Sequence, residues 1–311
     1  MKRRNPRLII FGGSGLIGSA LALSQASRYR VTVVTRPSSR FNPKDSRIEV
    51  VPWDYREHET ILSLMAGKYL LVNLVGENLA GRRWNRKKKA AILSSRLFLP
   101  GILTGILPKA RTLPLAYLQA SAIGFYPNHS ELSQVEEALP GRGFLSRVTA
   151  EWEAAAGPID MMGVRTLLFR FGLVLSREGG ILPRLWLPYR FFMGAGLGSG
   201  REWISWIHIS DLIRAVEFLI AREEKKGIYN LTSPEPVRSG EFYRTLARTI
   251  KRPLWFRVPG FALRPVLGEM ADETLLSSRK VIPCGLMKSG FKFRHPHLED
   301  ALHDLLIPSP G

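Results

Sequence analysis

The sequence Arg7-Leu-Ile-Ile-Phe-Gly-Gly-Ser-Gly-Leu-Ile-Gly18 joins a short apolar run to a group of closely spaced glycines. Residues 8–11 predict a buried strand, and the apolar spacing after the glycines predicts a helix. Glycines at this spacing are typical of a dinucleotide-binding turn, because they permit a tight turn, close approach of the backbone to pyrophosphate and close helix packing. The cofactor contacts predicted here are Gly12, Gly13, Ser14, Gly15, Leu16, Ile17 and Gly18.

The second predicted strand, residues 31–35, ends beside an arginine. In folds with this turn, an acidic residue at the end of the second strand bonds the ribose 2′-hydroxyl of NAD, whereas an arginine at that position accommodates the 2′-phosphate of NADP. Thr35 and Arg36 stand at this position, so the sequence predicts a preference for NADP(H). The alternative is a solvated loop arginine, since loops collect charge.

Strand and helix patterns alternate from residue 8 to residue 231, which predicts a doubly wound parallel sheet of the α/β class. We expect a long sixth strand over residues 164–175, followed by a loop-rich lid over residues 176–202. Residues 1–235 are assigned to a Rossmann-type nucleotide-binding domain. Residues 236–311 are assigned to a smaller C-terminal α+β lobe.

Ligands in such sheets lie at the carboxyl ends of the strands. Leu74, Val75 and Gly76 follow the fourth predicted strand, so we expect them to pass beside the cofactor. A helix is predicted to open near residue 81, and Arg96 on it is the candidate to reach back towards the cofactor. The cations of residues 82–89 could seek phosphate, although a solvated helix face is the commoner explanation.

The net charge of +19 over 311 residues favours attraction to anions such as nucleic acid, acidic lipid or a phosphorylated small molecule. A solvated basic surface is the simpler explanation, and no nucleic-acid-binding motif accompanies the charge, so nucleic acid is not an expected partner. Cys284 is the only cysteine, which excludes an intrachain disulfide and fits a reducing compartment.

The basic and apolar N-terminus could pass for a signal peptide, but its glycines interrupt the apolar segment. No run of about 18 uninterrupted apolar residues occurs, so no spanning helix and no membrane partner are predicted. We therefore expect a cytoplasmic protein whose partner is a small molecule, and homodimerisation is left open.

Motifs along nearly the whole chain carry a resemblance to one family. Besides the glycine turn, they are Val33-Val-Thr-Arg36, Asn73-Leu-Val-Gly-Glu77, Arg83-Trp-Asn85, Ser94-Ser-Arg96, Ser121-Ala-Ile-Gly-Phe-Tyr126, Glu151-Trp-Glu153, Arg170-Phe-Gly-Leu-Val-Leu175, Gly179-Gly-Ile-Leu182, Gly198-Ser-Gly-Arg201, Trp206-Ile-His-Ile-Ser-Asp211, Lys280-Val-Ile-Pro283 and Gly290-Phe-Lys-Phe293. Together they resemble the atypical, extended short-chain dehydrogenase/reductases called the epimerase family (sugar-nucleotide epimerase-like), in the subgroup with a small C-terminal domain of unassigned function. The resemblance implies NADP (NADPH) over the sheet, a further contact near Val174, and a substrate pocket between sheet and lobe.

Active members of that superfamily transfer a proton through a tyrosine whose pKa is lowered by a lysine four residues later, and a serine steadies the substrate oxygen. When Glu153 is aligned with the family's glutamate, Leu145 stands at the position of the catalytic tyrosine and Thr149 at the position of the catalytic lysine. The pair is therefore missing. Ser121 and Tyr126 remain as catalytic candidates, and both are also explained as structural residues of a strand-to-loop turn.

Arg201, in the glycine-rich segment of the lid, is a candidate anchor for an anionic substrate. His295 and His297 lack cysteine neighbours or a carboxylate cluster at ligand spacing, so no metal site is predicted. Two main hypotheses follow. One is an NADP(H)-dependent oxidoreductase or epimerase-like enzyme on an unidentified small molecule, and the other is a non-catalytic NADP(H)-sensing or regulatory protein. Nucleic-acid binding through residues 82–89 is a third hypothesis.

Overall fold

The structure is a computed structural model that describes residues 5–80 and 83–307. The strands are β1 (Arg7–Phe11), β2 (Arg30–Thr35), β3 (Glu49–Pro52), β4 (Tyr69–Asn73), β5 (Ala116–Ala122), β6 (Ser130–Gln134), β7 (Thr166–Phe171), β8 (Leu173–Leu175), β9 (Ala195–Leu197), β10 (Trp203–Ile204), β11 (Trp206–His208), β12 (Gly227–Leu231), β13 (Val237–Arg238), β14 (Phe256–Val258) and β15 (Arg279–Val281). The helices are α1 (Leu16–Gln25), α2 (His58–Leu64), α3 (Arg86–Ile106), α4 (Phe144–Ala154), α5 (Gly157–Met161), α6 (Leu182–Arg190), α7 (Ile209–Ile220), α8 (Ser239–Thr249), α9 (Gly260–Leu267), α10 (Cys284–Lys288) and α11 (Leu298–Leu306).

Seven strands form the central sheet in the order β12-β7-β5-β4-β1-β2-β3, and every neighbouring pair is parallel. The strand order reverses between β1 and β4, and the crevice outside such a reversal is where ligands bind in open α/β sheets. The predicted doubly wound α/β fold is confirmed. The glycine turn stands at the reversal, directly after β1.

Both faces of the sheet are buried, as expected for parallel strands covered by helices. Leu8 and Ile10 point to a core shared with α1 and α7, whereas Ile9 and Phe11 point to a second core shared with α2, α3 and α5. This alternation follows from the two-residue period of a strand. Because both faces of β1 are buried, its sequence is a continuous apolar run.

The segment Arg86–Lys109, α3 with the turn after it, has the length and mean hydropathy (1.6) that would allow a helix to cross a membrane. The sequence predicts no such helix, because polar residues interrupt the apolar stretches of this segment. In the fold, Ile92, Leu99 and Leu103 on α3 are fully buried. They pack against the sheet and α4, so this helix belongs to the protein core.

The long sixth strand expected over residues 164–175 is wrong, because the chain breaks at Gly172 into β7 and β8. β7 pairs with β12 as far as Phe171, whereas β8 pairs with β11 in a separate two-stranded sheet. A Cβ atom at Gly172 would lie 2.7 Å from the carbonyl oxygen of Ser205. The glycine therefore permits the close crossing at which the chain changes partner.

The expected loop-rich lid over residues 176–202 contains regular structure, namely α6 and β9. Closely spaced glycines, prolines and aromatic residues indicate an irregular segment in the sequence, and the prolines would be expected to interrupt a helix. Pro183 lies at the start of α6, where its missing N–H costs no hydrogen bond, and Pro188 lies in the last turn. Their positions at the two ends of the helix explain why they do not prevent it.

The C-terminal part of the chain is tied to the first part by three short strand pairs, β10 with β13, β9 with β14 and β6 with β15. Its helices α8 and α11 pack together around Phe242, Leu246 and Leu302. The polar strands β6 and β15 were not predicted, because each obtains its partner only from the other. The boundary at residue 235 remains a prediction.

Candidate functional site

The glycine turn is held by close backbone contacts that no side chain could share. Gly12 has a φ of +76°, and a Cβ atom there would lie 2.8 Å from the carbonyl carbon of Leu74. A Cβ atom on Gly18 would lie 2.5 Å from the Cα atom of Gly13. These contacts join the turn to the end of β4 and press α1 against the turn, as the glycine spacing predicted.

The N-terminus of α1 presents free N–H groups. Gly15 is its N-cap and makes no side-chain capping bond, and the first turn carries no acidic residue. The first hydrogen bond of the helix runs from the Ser19 N–H to the Gly15 carbonyl oxygen, at 2.9 Å. The Gly15 N–H donates to the Gly12 carbonyl oxygen at 3.1 Å, so the N–H groups of residues 16–18 and the positive end of the helix dipole are the ones available to an anion. This arrangement fits the pyrophosphate of a dinucleotide.

A cleft of about 410 Å³ opens in front of this turn. It brings together most of the predicted cofactor residues, namely Gly12, Ser14, Gly15, Thr35, Arg36, Leu74, Val75 and Gly76. Gly13 and Gly18 support the turn from behind, where they touch each other. Leu16 contacts the segment around Gly180, and Ile17 packs into the core beneath the cleft.

Two aromatic side chains that the sequence analysis missed complete the wall of the cleft near Arg36. Tyr55 has a φ of +70°, and its ring centroid lies 4.6 Å from that of Trp53 and 5.1 Å from that of Phe98. Burial raises the pKa of the Tyr55 phenol, and the positive charge of Arg36 opposes this shift. Tyr55 and Phe98 are about forty residues apart in the sequence, so only the fold brings them together.

A second cavity, of about 250 Å³, adjoins the cleft and is lined by residues of the end of β5, α4, α6 and the C-terminal part. Leu145 and Thr149 both line this cavity, and they stand at the positions where active family members have the tyrosine and the lysine. Arg96 stands at the junction, since a Cβ atom on Gly76 of the cleft would lie 3.6 Å from its guanidinium carbon. Burial lowers the pKa of Arg96 to about 10, against the influence of the Glu77 carboxylate.

Val174 and Arg201, which the sequence also predicted as site residues, line neither the cleft nor the cavity. Val174 packs against the core that includes α1, and its contact with the cofactor remains a prediction. Arg201 is exposed, and its carbonyl oxygen accepts a hydrogen bond from Arg238. Because its side chain lines neither the cleft nor the cavity, the structure does not support Arg201 as the substrate anchor.

Ser121 belongs to a buried polar network beneath the cavity. Its hydroxyl donates to Glu153 Oε1 at 2.5 Å. The same carboxylate forms a forked pair with Arg170, with Nε to Oε1 and Nη2 to Oε2 both at 2.8 Å. Since Arg170 is only 1% exposed and Glu153 9%, this is a buried, hydrogen-bonded ion pair.

Tyr126 is part of the same network and has no exposed surface. Its hydroxyl donates to Asn230 Oδ1 at 2.7 Å and accepts from Arg170 Nη1 at 2.9 Å. Burial raises the pKa of this phenol to about 12, and the Arg170 charge only partly opposes the shift. Neither Ser121 nor Tyr126 lines the cavity, although residues 122–124 between them do, so their catalytic roles remain predictions.

One group of side chains in the described residues, His208, His295 and Asp304, has the spacing of a metal site, with ligand atoms within 4.8 Å of one another. His208 Nδ1 accepts the Ser210 N–H at 3.0 Å and thereby caps α7. A neutral imidazole has one lone pair, so the proton lies on Nε2, 3.2 Å from Asp304 Oδ2. We assign no metal to this group, because the nitrogen that faces it is not free to coordinate.

Two cations of the basic segment of residues 82–89 form ion pairs with carboxylates elsewhere in the protein. Lys88 Nζ lies 2.6 Å from Glu77 Oε1, and Lys89 Nζ lies 2.8 Å from Glu269 Oε1. Arg82 lies outside the described residues. These ion pairs reduce the charge that the segment offers to nucleic acid.

Comparison with known proteins extends this description. Residues 8–232 match the NAD dependent epimerase/dehydratase family, and residues 258–305 match a domain of unknown function (DUF1731). An epimerase family protein of Staphylococcus aureus (strain NCTC 8325 / PS 47) is 36% identical over 303 residues, which cover 96% of this chain and 98% of that protein. An epimerase family protein of Mycobacterium leprae (strain TN) is 35% identical over 300 residues, covering 96% and 95% of the two chains. These matches confirm the resemblance found from the motifs.

Solved structures show the same fold. The human epimerase family protein SDR39U1 (isoform 2), solved with NADPH, superposes with a TM-score of 0.83 and 27% identity over 96% of this chain and 98% of that chain. A nucleoside-diphosphate sugar epimerase from Corynebacterium glutamicum gives a TM-score of 0.75 and 27% identity over 97% of this chain and 58% of that one. A dTDP-glucose 4,6-dehydratase from Bacillus anthracis, solved with NAD, shares the fold at 13% identity, with a TM-score of 0.74 over 96% and 95% of the two chains.

Replacing Arg170 with methionine is expected to lower the free energy of unfolding by about 3–5 kcal/mol, because the buried Glu153 carboxylate would lose its counter-charge. The control is Arg147→Met, which removes an exposed pair with Glu151 and should change the free energy by at most about 0.5 kcal/mol. Urea unfolding measures both values. Equal effects of the two substitutions would contradict the importance of the buried pair.

The free energy of unfolding is also expected to fall as the pH drops from about 6.5 towards about 4. Burial, and then the charge of His295, lower the pKa of His208 to about 4, so over this range the unfolded chain takes up a proton that the folded one does not. His208→Asn retains an oxygen that can cap α7 and should flatten this dependence.

The control for the pH experiment is His297→Asn. A hydrogen bond from exposed His297 to Glu235 raises the pKa of that imidazole. The stabilisation that this hydrogen bond provides is complete below the ordinary pKa of histidine and is lost only at higher pH. The slope of the free energy of unfolding against pH should therefore not change between pH 4 and 6.5 in His297→Asn. Identical slopes for wild type and His208→Asn would disprove the assignment to His208.

Proposed function

This chain belongs to the NAD dependent epimerase/dehydratase family, and on that premise we propose that it binds NADP(H) in the cleft and acts as an oxidoreductase or epimerase-like enzyme on a small molecule in the adjoining cavity. The observation that carries the proposal is the junction at Arg96. There the cleft in front of the glycine turn meets a mostly apolar cavity. A cofactor in the cleft would thus face a space suited to a small substrate.

Each part of the cleft suits one part of the cofactor. The uncapped N–H groups of α1 would bind the pyrophosphate, and Arg36 would pair with the 2′-phosphate at the end of β2. The rings of Tyr55 and Phe98 offer flat apolar surfaces to the adenine. The NADPH bound to the human relative, at 27% identity over nearly the whole chain, supports the choice of NADP(H) over NAD(H).

Bound NADP(H) would supply or accept a hydride at the mouth of the cavity. The side chains of the cavity would then orient the substrate and exclude water, since most of its walls are apolar. Tyr243 contributes a phenol to these walls, and burial raises its pKa. We assign no proton donor among the side chains of the cavity.

One observation favours the alternative of a non-catalytic NADP(H)-sensing protein. Leu145 and Thr149 stand at the tyrosine and lysine places and line the cavity. The Thr149 hydroxyl is already engaged, since it donates to the Leu145 carbonyl oxygen at 2.7 Å. A protein without the acid–base pair could bind the cofactor and report its presence through the C-terminal part.

Replacing Arg36 with alanine is expected to weaken NADPH binding by about tenfold, because a charge-assisted contact with the 2′-phosphate is lost. NADH lacks that phosphate, so its affinity should be nearly unchanged. Isothermal titration calorimetry measures both affinities, with Arg47→Ala as the control, because that arginine is paired with Asp45 at 2.6 Å. A wild-type protein that binds NADPH and NADH equally would refute the preference.

Turnover separates the enzyme from the sensor. NADPH oxidation would be followed by absorbance against a panel of small carbonyl compounds, with wild type, Ser121→Ala and Tyr126→Phe. Because both side chains are bound within the network under the cavity, we expect each variant to retain most of the activity and to lose about 1 kcal/mol of stability. Loss of turnover with unchanged NADPH affinity would show that they are catalytic, as the sequence predicted. No turnover of any compound by wild type would favour the sensor.

A further inference from the structure

The cavity beside the cleft contains more buried positive charge than its own residues neutralise. In the part of the chain that the structure describes, its ionised lining residues are Arg96, Arg279 and Glu273. Arg96 is 9% exposed and Arg279 only 4%. Two guanidinium groups therefore accompany one carboxylate in the lining of a mostly apolar cavity, where unpaired buried charge is costly.

The single carboxylate already has another role. Glu273 Oε1 accepts the Phe144 N–H at 2.8 Å, and Oε2 lies 3.4 Å from the Leu145 N–H. The carboxylate thus caps α4 and faces the positive end of that helix. Its distance to Arg279 is 3.9 Å, from Oε2 to Nη2, which is beyond hydrogen-bond range.

The two arginines differ in the donors that they leave free. Arg96 Nη1 donates to the Ile92 carbonyl oxygen at 2.8 Å, and both of its Nη atoms lie 3.4 Å from the Glu77 carbonyl oxygen. Arg279 uses its Nε for the Tyr126 carbonyl oxygen at 3.0 Å. In the described residues, its Nη groups have no partner at hydrogen-bond distance. Arg279 therefore keeps the forked face that guanidinium offers to an oxyanion.

We propose that the cavity binds a small, otherwise apolar carboxylate, which Arg279 holds through its free Nη groups. The inference rests on the proposed function, because it assigns the substrate class of the same site. One negative charge balances the one uncompensated positive charge, whereas a phosphate dianion would leave an excess of negative charge. The volume of about 250 Å³ lies below the range of drug-sized pockets and suits a ligand much smaller than a sugar nucleotide.

The position of Arg279 also gives the ligand a direction. It lies on β15 in the C-terminal part, which lines the cavity but contributes no described residue to the cleft. A carboxylate held there leaves the apolar body of the ligand to the apolar walls, to which Leu145 and Leu173 contribute, and Arg96 lies on the side next to the cleft. The C-terminal part would thus select the substrate, and the sheet would hold the cofactor.

The test compares acids with their neutral amides. Benzoate, hexanoate, benzamide and hexanamide would be titrated calorimetrically into wild type, with and without NADP⁺, and phenylphosphonate would represent the dianion. We expect at least one acid to bind about tenfold or more tightly than its amide and more tightly than the phosphonate, as charge-assisted bonding requires. Equal binding of acids and amides, absence of binding by both acids, or preference for the phosphonate would overturn the proposal.

Substitutions test whether Arg279 produces the preference for an acid over its amide. Arg279→Met should abolish the difference between acid and amide, Arg279→Lys should keep part of it, and the exposed Arg201→Met should leave it unchanged. Retention of the full preference in Arg279→Met would contradict the assignment. If the methionine variant does not fold, the wild-type comparison and the lysine variant decide the question.

NADPH affinity, measured on the same samples, separates this proposal from the proposed function. Arg279 lies outside the cleft, so its substitution should leave the affinity for NADPH within about twofold of wild type. Acid binding without NADPH binding would refute the cofactor assignment alone. NADPH binding without acid preference would refute the substrate class alone.

Discussion

The close approach of Gly12 to the backbone at Leu74 is the contact on which the rest of the structure depends. It lies where the strand order reverses, so it joins the end of β1 to the end of β4 at the place where the sheet opens a crevice. The same turn aims the uncapped end of α1 into that crevice. A side chain at this glycine would collide with the backbone of β4 and separate the two halves of the cleft.

The buried polar side chains near the carboxyl ends of the strands have two roles: some stabilise the fold, and one remains available to bind a ligand. Arg170, Glu153 and Tyr126 satisfy one another in a closed network, so their charges and hydroxyl stabilise the floor of the cavity. Arg279 stands beyond that floor and retains free donors. A buried group becomes a binding group only when its neighbours leave some of its hydrogen-bonding capacity unused.

The elements that the sequence did not predict share one physical cause. The apolar runs of the central sheet were found because burial on both faces leaves a strong signal in the sequence. The break at Gly172, the formation of α6 despite the two prolines that it contains, and the polar strands β6 and β15 depend on partners far along the chain. Local patterns carry no information about such partners, so these elements could not be predicted.

The sequence by itself determined the glycine turn, the α/β order of the elements, the arginine after β2 and the loss of the tyrosine–lysine pair, because each depends on residues close together in the chain. Only the tertiary structure decided that Tyr126 is bound by Asn230, 104 residues away, and that Arg279 faces the cavity. The physical reason is that burial and hydrogen-bond satisfaction are properties of the assembled neighbourhood. A residue type sets what a side chain can donate or accept, and the fold sets what remains free.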